Sequence, residues 1–116
     1  MNNAAYILST FANQPDEALK YAQKAQELAP QDMDVADTLG WAFYQKGLYP
    51  SAVTHLERAA SKEGGNVVWK YHLAMAYAKA GNPKRGRTVY ETALKRNPNV
   101  PEAALAKQVL EQAKGL

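Results

Sequence analysis

The sequence predicts an all-α fold, an α-solenoid of antiparallel helix pairs, because it repeats with a period of 34 residues. Four residues near the middle of the chain return one period later with the same character: Leu39, Phe43, Gly47 and Ala59 correspond to Leu73, Tyr77, Gly81 and Ala93. Residues that end helices keep the same spacing: Pro30, Gly64 and Pro98. Self-similarity at a fixed period of about 20–50 residues is the sequence sign of a repeat architecture.

Helices between these breaks are predicted from apolar residues at three- and four-residue spacing. The spacing predicts seven helices, over about 3–12, 15–28, 33–46, 50–62, 67–80, 83–96 and from 101 onward. Leu8 and Phe11 lie on the apolar face of the first. Pro15 suits the first position of the second helix, and Asp16 and Glu17 follow where the positive end of the helix dipole favours acids.

The later helices have recognisable start and stop signals. Asp32 is a good N-cap for the third helix, and Gly47 breaks the chain after it. Asn66 is suited to cap the fifth helix, and Asn82 precedes Pro83 at the start of the sixth.

Two features concern the packing of the last helices. Gly86 lies inside the sixth helix, where glycine costs about 1 kcal/mol relative to alanine, so we expect a close contact with the paired helix around Ala74. The seventh helix has a single apolar face: Ala103, Ala106, Val109, Leu110 and Ala113. A solenoid needs such a helix to cover its end. We therefore expect one domain over 1–116, made of a partial repeat 1–32, repeats 33–66 and 67–100, and a capping helix 101–116.

Composition limits the function only broadly. The chain has 116 residues, of which 47% are hydrophobic, which is typical of a globular protein. Without cysteine it can form no disulfide or zinc–thiolate site, so either a reducing or an oxidising compartment is compatible with it, cytoplasmic or periplasmic. We find no signal peptide and no apolar stretch approaching the ~20 residues of a membrane span. The formal charge of +3 is too small to indicate nucleic-acid binding by itself.

Residues 33–100 resemble the tetratricopeptide repeat twice over, and 1–32 resemble it more weakly. The matching positions are a Leu-Gly or Leu-Ala pair, an aromatic, a glycine and a later pair of alanines: Leu39, Gly40, Phe43, Gly47, Ala52 and Ala59 in one copy, and Leu73, Ala74, Tyr77, Gly81 and Ala93 in the next. Ala36 and Lys70 depart from the family where its first signature tryptophan stands, and Pro83 and Gly86 depart in the second copy. The resemblance implies a right-handed superhelix that binds other proteins and has no enzymatic activity.

A narrower likeness concerns residues 35–49, whose sequence is similar to repeats near the C-terminal end of long bacterial arrays. Some of those arrays are linked to envelope polysaccharide or protein-sorting systems. This likeness implies a bacterial setting and leaves open whether the chain is a fragment of a longer array.

Catalytic and metal-binding patterns are not evident in the sequence. The two histidines, His55 and His72, stand on helices of different repeats, and we expect His72 to face solvent or a groove. Asp32, Asp34 and Asp37 are closely spaced and could suggest a metal site, but helix capping explains at least two of them. We expect that the chain is not an enzyme and that it binds no metal and no cofactor.

The expected functional site is the inner, concave face formed by the first helix of each pair. Its side chains include aromatics and a methionine, which are enriched at binding hot spots. The predicted groove residues are Tyr6, Asp34, Asp37, Thr38, Trp41, Tyr44, Tyr71, His72, Met75 and Lys79. The alternative is that the aromatics of this set pack against one another between repeats.

Two other classes of partner stay open. The first helix begins near Met1 with no polar helix before it, so the chain is expected to continue upstream or to associate with a second copy through this end. A nucleic-acid binder is the third class. It depends on five basic residues alone: Lys84, Arg85, Arg87, Lys95 and Arg96.

Overall fold

Six α-helices and no strand make up residues 15–113, which is the part of the chain that the computed structural model describes. The helices are α1 (Pro15–Leu28), α2 (Met33–Gln45), α3 (Tyr49–Ala60), α4 (Val67–Lys79), α5 (Pro83–Arg96) and α6 (Pro101–Gln112). The predicted helix over 3–12, and Tyr6 with it, lies outside the described residues.

The helix starts confirm the period of the sequence. Helices α2, α4 and α6 begin at residues 33, 67 and 101, and helices α1, α3 and α5 begin at residues 15, 49 and 83. Both series advance by the 34 residues that separate the repeated positions of the sequence. The fold is thus an all-α helical-repeat solenoid, as the sequence predicts.

Three predicted caps are confirmed by hydrogen bonds. The Asp32 carboxylate accepts from the backbone N–H groups of Asp34 at 2.9 Å and of Val35 at 3.4 Å. The Asn66 side chain accepts from the Val68 N–H, and the Asn82 side chain accepts from that of Arg85. Each cap satisfies N–H groups that have no partner within the helix.

The ends of α3 differ from the prediction of 50–62. The helix begins one residue earlier, at Tyr49, with Leu48 at a cap position that makes no side-chain hydrogen bond. It ends at Ala60, because Ser61 turns its hydroxyl to the Arg58 carbonyl and Gly64 takes a left-handed φ of 74°. Where no side chain caps the helix, the sequence therefore predicts the helix boundary less accurately.

Helix packing places α4 at the centre of the described chain. Helix α4 contacts α2, α3, α5 and α6, so it is covered on several sides. Helix α6 lies on α4 and α5 through its predicted apolar face, and all five alanine, valine and leucine residues of that face are buried. None of the helices within 15–113 is both long and apolar enough to cross a membrane.

The expected close approach at Gly86 is confirmed. A Cβ atom at this position would lie 2.6 Å from the Ala74 backbone carbonyl oxygen and 3.2 Å from a Leu110 methyl carbon. Helices α4 and α5 can approach this closely only because residue 86 has no side chain.

Gly86→Ala is therefore expected to lower the free energy of unfolding by about 1–3 kcal/mol, although alanine favours helices, because the two backbones must separate. Urea unfolding followed by circular dichroism measures the change. Glu91→Ala, on the exposed side of the same helix, is the control and should have little effect. A Gly86→Ala protein as stable as the parent would contradict the close contact.

Candidate functional site

The predicted groove residues of α2 and α4 come together in the structure, but most of them are buried. Trp41 is 4% exposed, His72 is 1% exposed, and Tyr71 and Met75 are fully buried. Their expected exposure is wrong, and so is the expectation that His72 faces solvent or a groove. Asp37 and Thr38 are buried as well, whereas Asp34 and Lys79 are exposed and Tyr44 is half-buried.

The burial of Tyr71 and Met75 has an identifiable cause. Both side chains share a hydrophobic core with the apolar face of α6, including Val109 and Leu110. The Tyr71 hydroxyl also donates to the Asn97 carbonyl oxygen at 2.7 Å, so its polar end is satisfied inside the protein. Burial raises the pKa of Tyr71, with a smaller contribution from Tyr90.

Trp41 is held in a stack of rings. Its ring lies 4.5 Å from that of Tyr44 at an interplanar angle of 7°, and 4.0 Å from that of His72 at 16°. Tyr49 meets Tyr44 edge-on at 5.4 Å. Burial, with a smaller effect of Tyr49, raises the pKa of Tyr44 to about 12. The stack joins α2 to α4, so it fixes the relative position of the first helices of two successive pairs.

A buried Asp37–His72 pair lies next to this stack. The Asp37 carboxylate oxygen is 2.9 Å from His72 Nδ1, and both side chains are almost fully buried. Sequence reasoning missed the pair, although the two residues are separated by 35 positions, which is one repeat plus one residue. That separation places them on neighbouring first helices, so the period could have indicated the contact.

The chemistry available to this pair is limited by its burial. A general base must come within hydrogen-bonding distance of the proton that it removes from a substrate. His72 is enclosed by Trp41 and Asp37, so its visible role is to connect α2 and α4. Within 15–113, no group of three or more acidic, histidine or cysteine side chains is arranged to hold a metal ion.

A double-mutant cycle should measure the coupling between the two residues. Asp37→Ala and His72→Ala are each expected to lower the free energy of unfolding by about 1–3 kcal/mol, because each leaves a buried polar group without its partner. The double variant should lose less than the sum of the two losses. Asp34→Ala, an exposed acid of the same helix, is the control. Additive losses would show that the pair contributes no coupling.

The five basic residues considered for nucleic-acid binding are only partly available. Arg96 donates to the Gly65 carbonyl oxygen at 2.8 Å, and the Arg85 guanidinium lies 5.1 Å from the centre of the Tyr77 ring. Both groups thus have contacts within the protein. Nothing in this arrangement strengthens the case for nucleic acid.

The fold and the site define a class of protein: a helical-repeat solenoid whose successive pairs are joined by buried side chains. Two family models described as tetratricopeptide repeat match the chain, one over residues 43–110 and the other over residues 11–66. The first match alone spans more than half of the chain, and the chain belongs to the tetratricopeptide-repeat family. Repeats of this family generally mediate protein–protein interaction. A search of the curated proteins found no match.

Proposed function

We propose that the chain is a non-enzymatic protein-interaction scaffold that holds a peptide or a helix of its partner along the face formed by α2 and α4. The observation that carries this proposal is the ring stack with the adjoining Asp37–His72 pair, which joins these two helices. A face that is rigid before binding loses less conformational entropy when a partner docks, and this favours affinity.

The burial of the aromatics changes which residues should touch the partner. We expect direct contacts from Asp34, the half-buried Tyr44 and Lys79, which keep free surface on α2 and α4. The buried residues below them would support these side chains: Trp41, Tyr71, His72 and Met75. Asp37 is engaged by His72. A short contact surface of this kind implies micromolar rather than nanomolar affinity. The likeness of 35–49 to bacterial envelope arrays makes proteins of that setting the first partners to test.

The test is a selection of peptides from a random display library on the full chain. The recovered peptides are then measured against a variant with Asp34→Lys and Lys79→Glu, two exposed changes that leave the net charge as it was. A variant with Lys84→Glu and Glu91→Lys makes the same exchange on α5 and is the matched control.

We expect a groove-binding class of peptides whose Kd rises at least about tenfold in the first variant, which corresponds to about 1.4 kcal/mol. The control should bind these peptides like the parent. The proposal fails if no recovered peptide distinguishes the two variants in this way.

Self-association is a second candidate, supported by α1. Leu28 of this helix is 72% exposed and Tyr21 is 44% exposed, and large apolar side chains on a surface mark contact sites when they cluster. Sedimentation at several protein concentrations measures the self-association. Association that Tyr21→Ser with Leu28→Ser abolishes would support this candidate, and a monomer at all concentrations would exclude it.

A further inference from the structure

A cleft lies between α3 and α5, the second helices of two successive pairs, and α4 forms its floor. Its volume is about 330 Å³, near the lower end of the ~300–1,000 Å³ typical of ligand sites. Ala60, Leu73, Val89 and the ring of Tyr77 give it apolar walls. The residues that line it are not those of the proposed groove.

Charged side chains stand around these apolar walls. Lys70 donates to the Ala60 carbonyl oxygen at 3.1 Å, and the guanidinium of Arg85 lies over the Tyr77 ring. Glu57 is the acid of the cleft, and it accepts a hydrogen bond from the Tyr77 hydroxyl. The lining therefore carries two positive charges and one negative charge, and each of these three groups has one contact within the protein. The contacts of Lys70 and Arg85 are with neutral groups, so they leave both positive charges unneutralised.

A second depression continues the cleft past the end of α3. The two share Ala60, Ser61 and Lys70, and the continuation adds Lys62 and Arg96 to the cations and Glu63 to the acids. The combined surface thus has four cations against two acids. An extended occupant can contact both depressions, whereas a single small ion cannot.

The preceding pair of second helices, α1 and α3, carries different side chains at the positions that correspond to the cleft. Eight of the ten cleft positions differ one period earlier, and four of these differences concern its apolar space and its two cations: Gln26 stands for Ala60, His55 for Val89, Ala36 for Lys70 and Ser51 for Arg85. There the His55 ring stacks on Phe43, the counterpart of Tyr77, with 5.4 Å between their centres. The side-chain oxygen of Gln26 is also buried. Larger side chains thus replace two small ones at the first junction, and small neutral side chains replace Lys70 and Arg85. Arg58 stands there for Thr92, but its guanidinium donates to the Pro30 carbonyl oxygen at 2.8 Å.

We propose that the cleft between α3 and α5 binds an acidic peptide segment of a partner protein. A carboxylate of the segment lies between Lys70 and Arg85, and a neighbouring apolar side chain enters the space above Ala60 and Val89. Arginine and lysine are strong hydrogen-bond donors to a carboxylate, and Arg85 can donate to both of its oxygens. A phosphate alone would leave the apolar walls uncovered. This site is separate from the groove on α2 and α4, so either one can exist without the other.

The test uses two variants whose new residues come from the first junction of the same chain. Lys70→Ala with Arg85→Ser removes the cations, and Ala60→Gln with Val89→His fills the space. Lys84→Ser with Arg87→Ala removes the same charge from exposed positions of α5 outside the cleft and is the matched control. Melting curves by circular dichroism establish that each variant is folded.

The probes are peptides from a random display library selected on the full chain, labelled with fluorescein and measured by fluorescence polarisation. We expect a class of peptides that carry aspartate or glutamate beside an apolar residue. Their Kd should rise at least about tenfold in each cleft variant and stay within about twofold in the control and in the Asp34→Lys, Lys79→Glu groove variant.

Four results would overturn the proposal. One is a selection that recovers no such class, and another is an equal loss in the Lys84→Ser, Arg87→Ala control, which would indicate general charge attraction. The third is displacement of these peptides by polyuridylic acid at the same charge concentration, which would assign the surface to nucleic acid instead. Loss in the groove variant alone would leave the proposed function intact and reject this site.

Discussion

Trp41→Ala is expected to lower the free energy of unfolding by about 3–5 kcal/mol, the range measured when a large buried aromatic is truncated. The side chain is almost fully buried and belongs to the same core as Val67, Tyr71 and Met75. Its removal also takes away the stacking contacts of the ring with Tyr44 and His72 and leaves His72 beside a void. Urea unfolding followed by far-ultraviolet circular dichroism is the measurement.

Trp41→Phe is the matched control, because it keeps a ring at the contact between α2 and α4. It should lose clearly less stability than the alanine variant. A loss below about 1 kcal/mol for Trp41→Ala would mean that the stack does not hold the helices together. The expected size of the effect also explains why binding is better tested at Asp34 and Lys79, where a change in affinity is not confounded with unfolding.

The helix starts were predictable because they depend on local chemistry that recurs with the repeat. Proline at the first turn of a helix and aspartate or asparagine at its cap act within a few residues, so the sequence alone indicates them. The Gly86 contact was predictable for a related reason: a glycine inside a helix needs a neighbour that approaches closely, and the pairing of helices supplied Ala74. Helix ends without a cap, as in α3, depend on weaker signals.

The exposure of the groove residues was not predictable from one helix at a time. The sequence predicts a groove on the side of α4 that carries Tyr71, His72 and Met75. In the structure α6 covers that side, and the residues from Tyr71 to Ala78 are all buried. A signal was present, since 67–79 is apolar on almost every face, and such a helix is buried all round. The weak amphipathicity of α4 therefore indicates that only a small part of this helix, such as Lys79, stays exposed.

The cleft between α3 and α5 was missed because sequence comparison concentrated on positions that repeat. The two copies differ at the positions that give the cleft its charge and its space: Lys70, Arg85, Ala60 and Val89. A search for the period passes over such positions. In a repeat protein the shared positions build the fold, whereas the differing ones distinguish one junction from the next. The differing positions are thus the ones from which a site can be inferred once the packing is known.

Removal of residues 101–116 is expected to destabilise the remaining solenoid strongly. The truncation takes away Val109 and Leu110, each worth about 1.5–3 kcal/mol when fully buried. It takes away three buried alanines as well: Ala103, Ala106 and Ala113. It also uncovers Tyr71 and Met75, which are otherwise fully buried, and removes a neighbour of Gly86. The expected loss from the two larger side chains alone is about 3–6 kcal/mol.

Differential scanning calorimetry of the shortened and full chains measures this effect. For a domain of this size about 1 kcal/mol corresponds to ~4–8 °C, so the melting temperature should fall by more than about 10 °C, or the protein should aggregate through the uncovered face of α4. A chain that ends after Ala113 keeps the whole buried face of α6 and is the matched control. An unchanged melting temperature after removal of 101–116 would mean that α6 adds no stability to α4 and α5. In that case α6 could detach from α4 without a loss of stability, and a partner could reach Tyr71 even though α6 buries it in the structure.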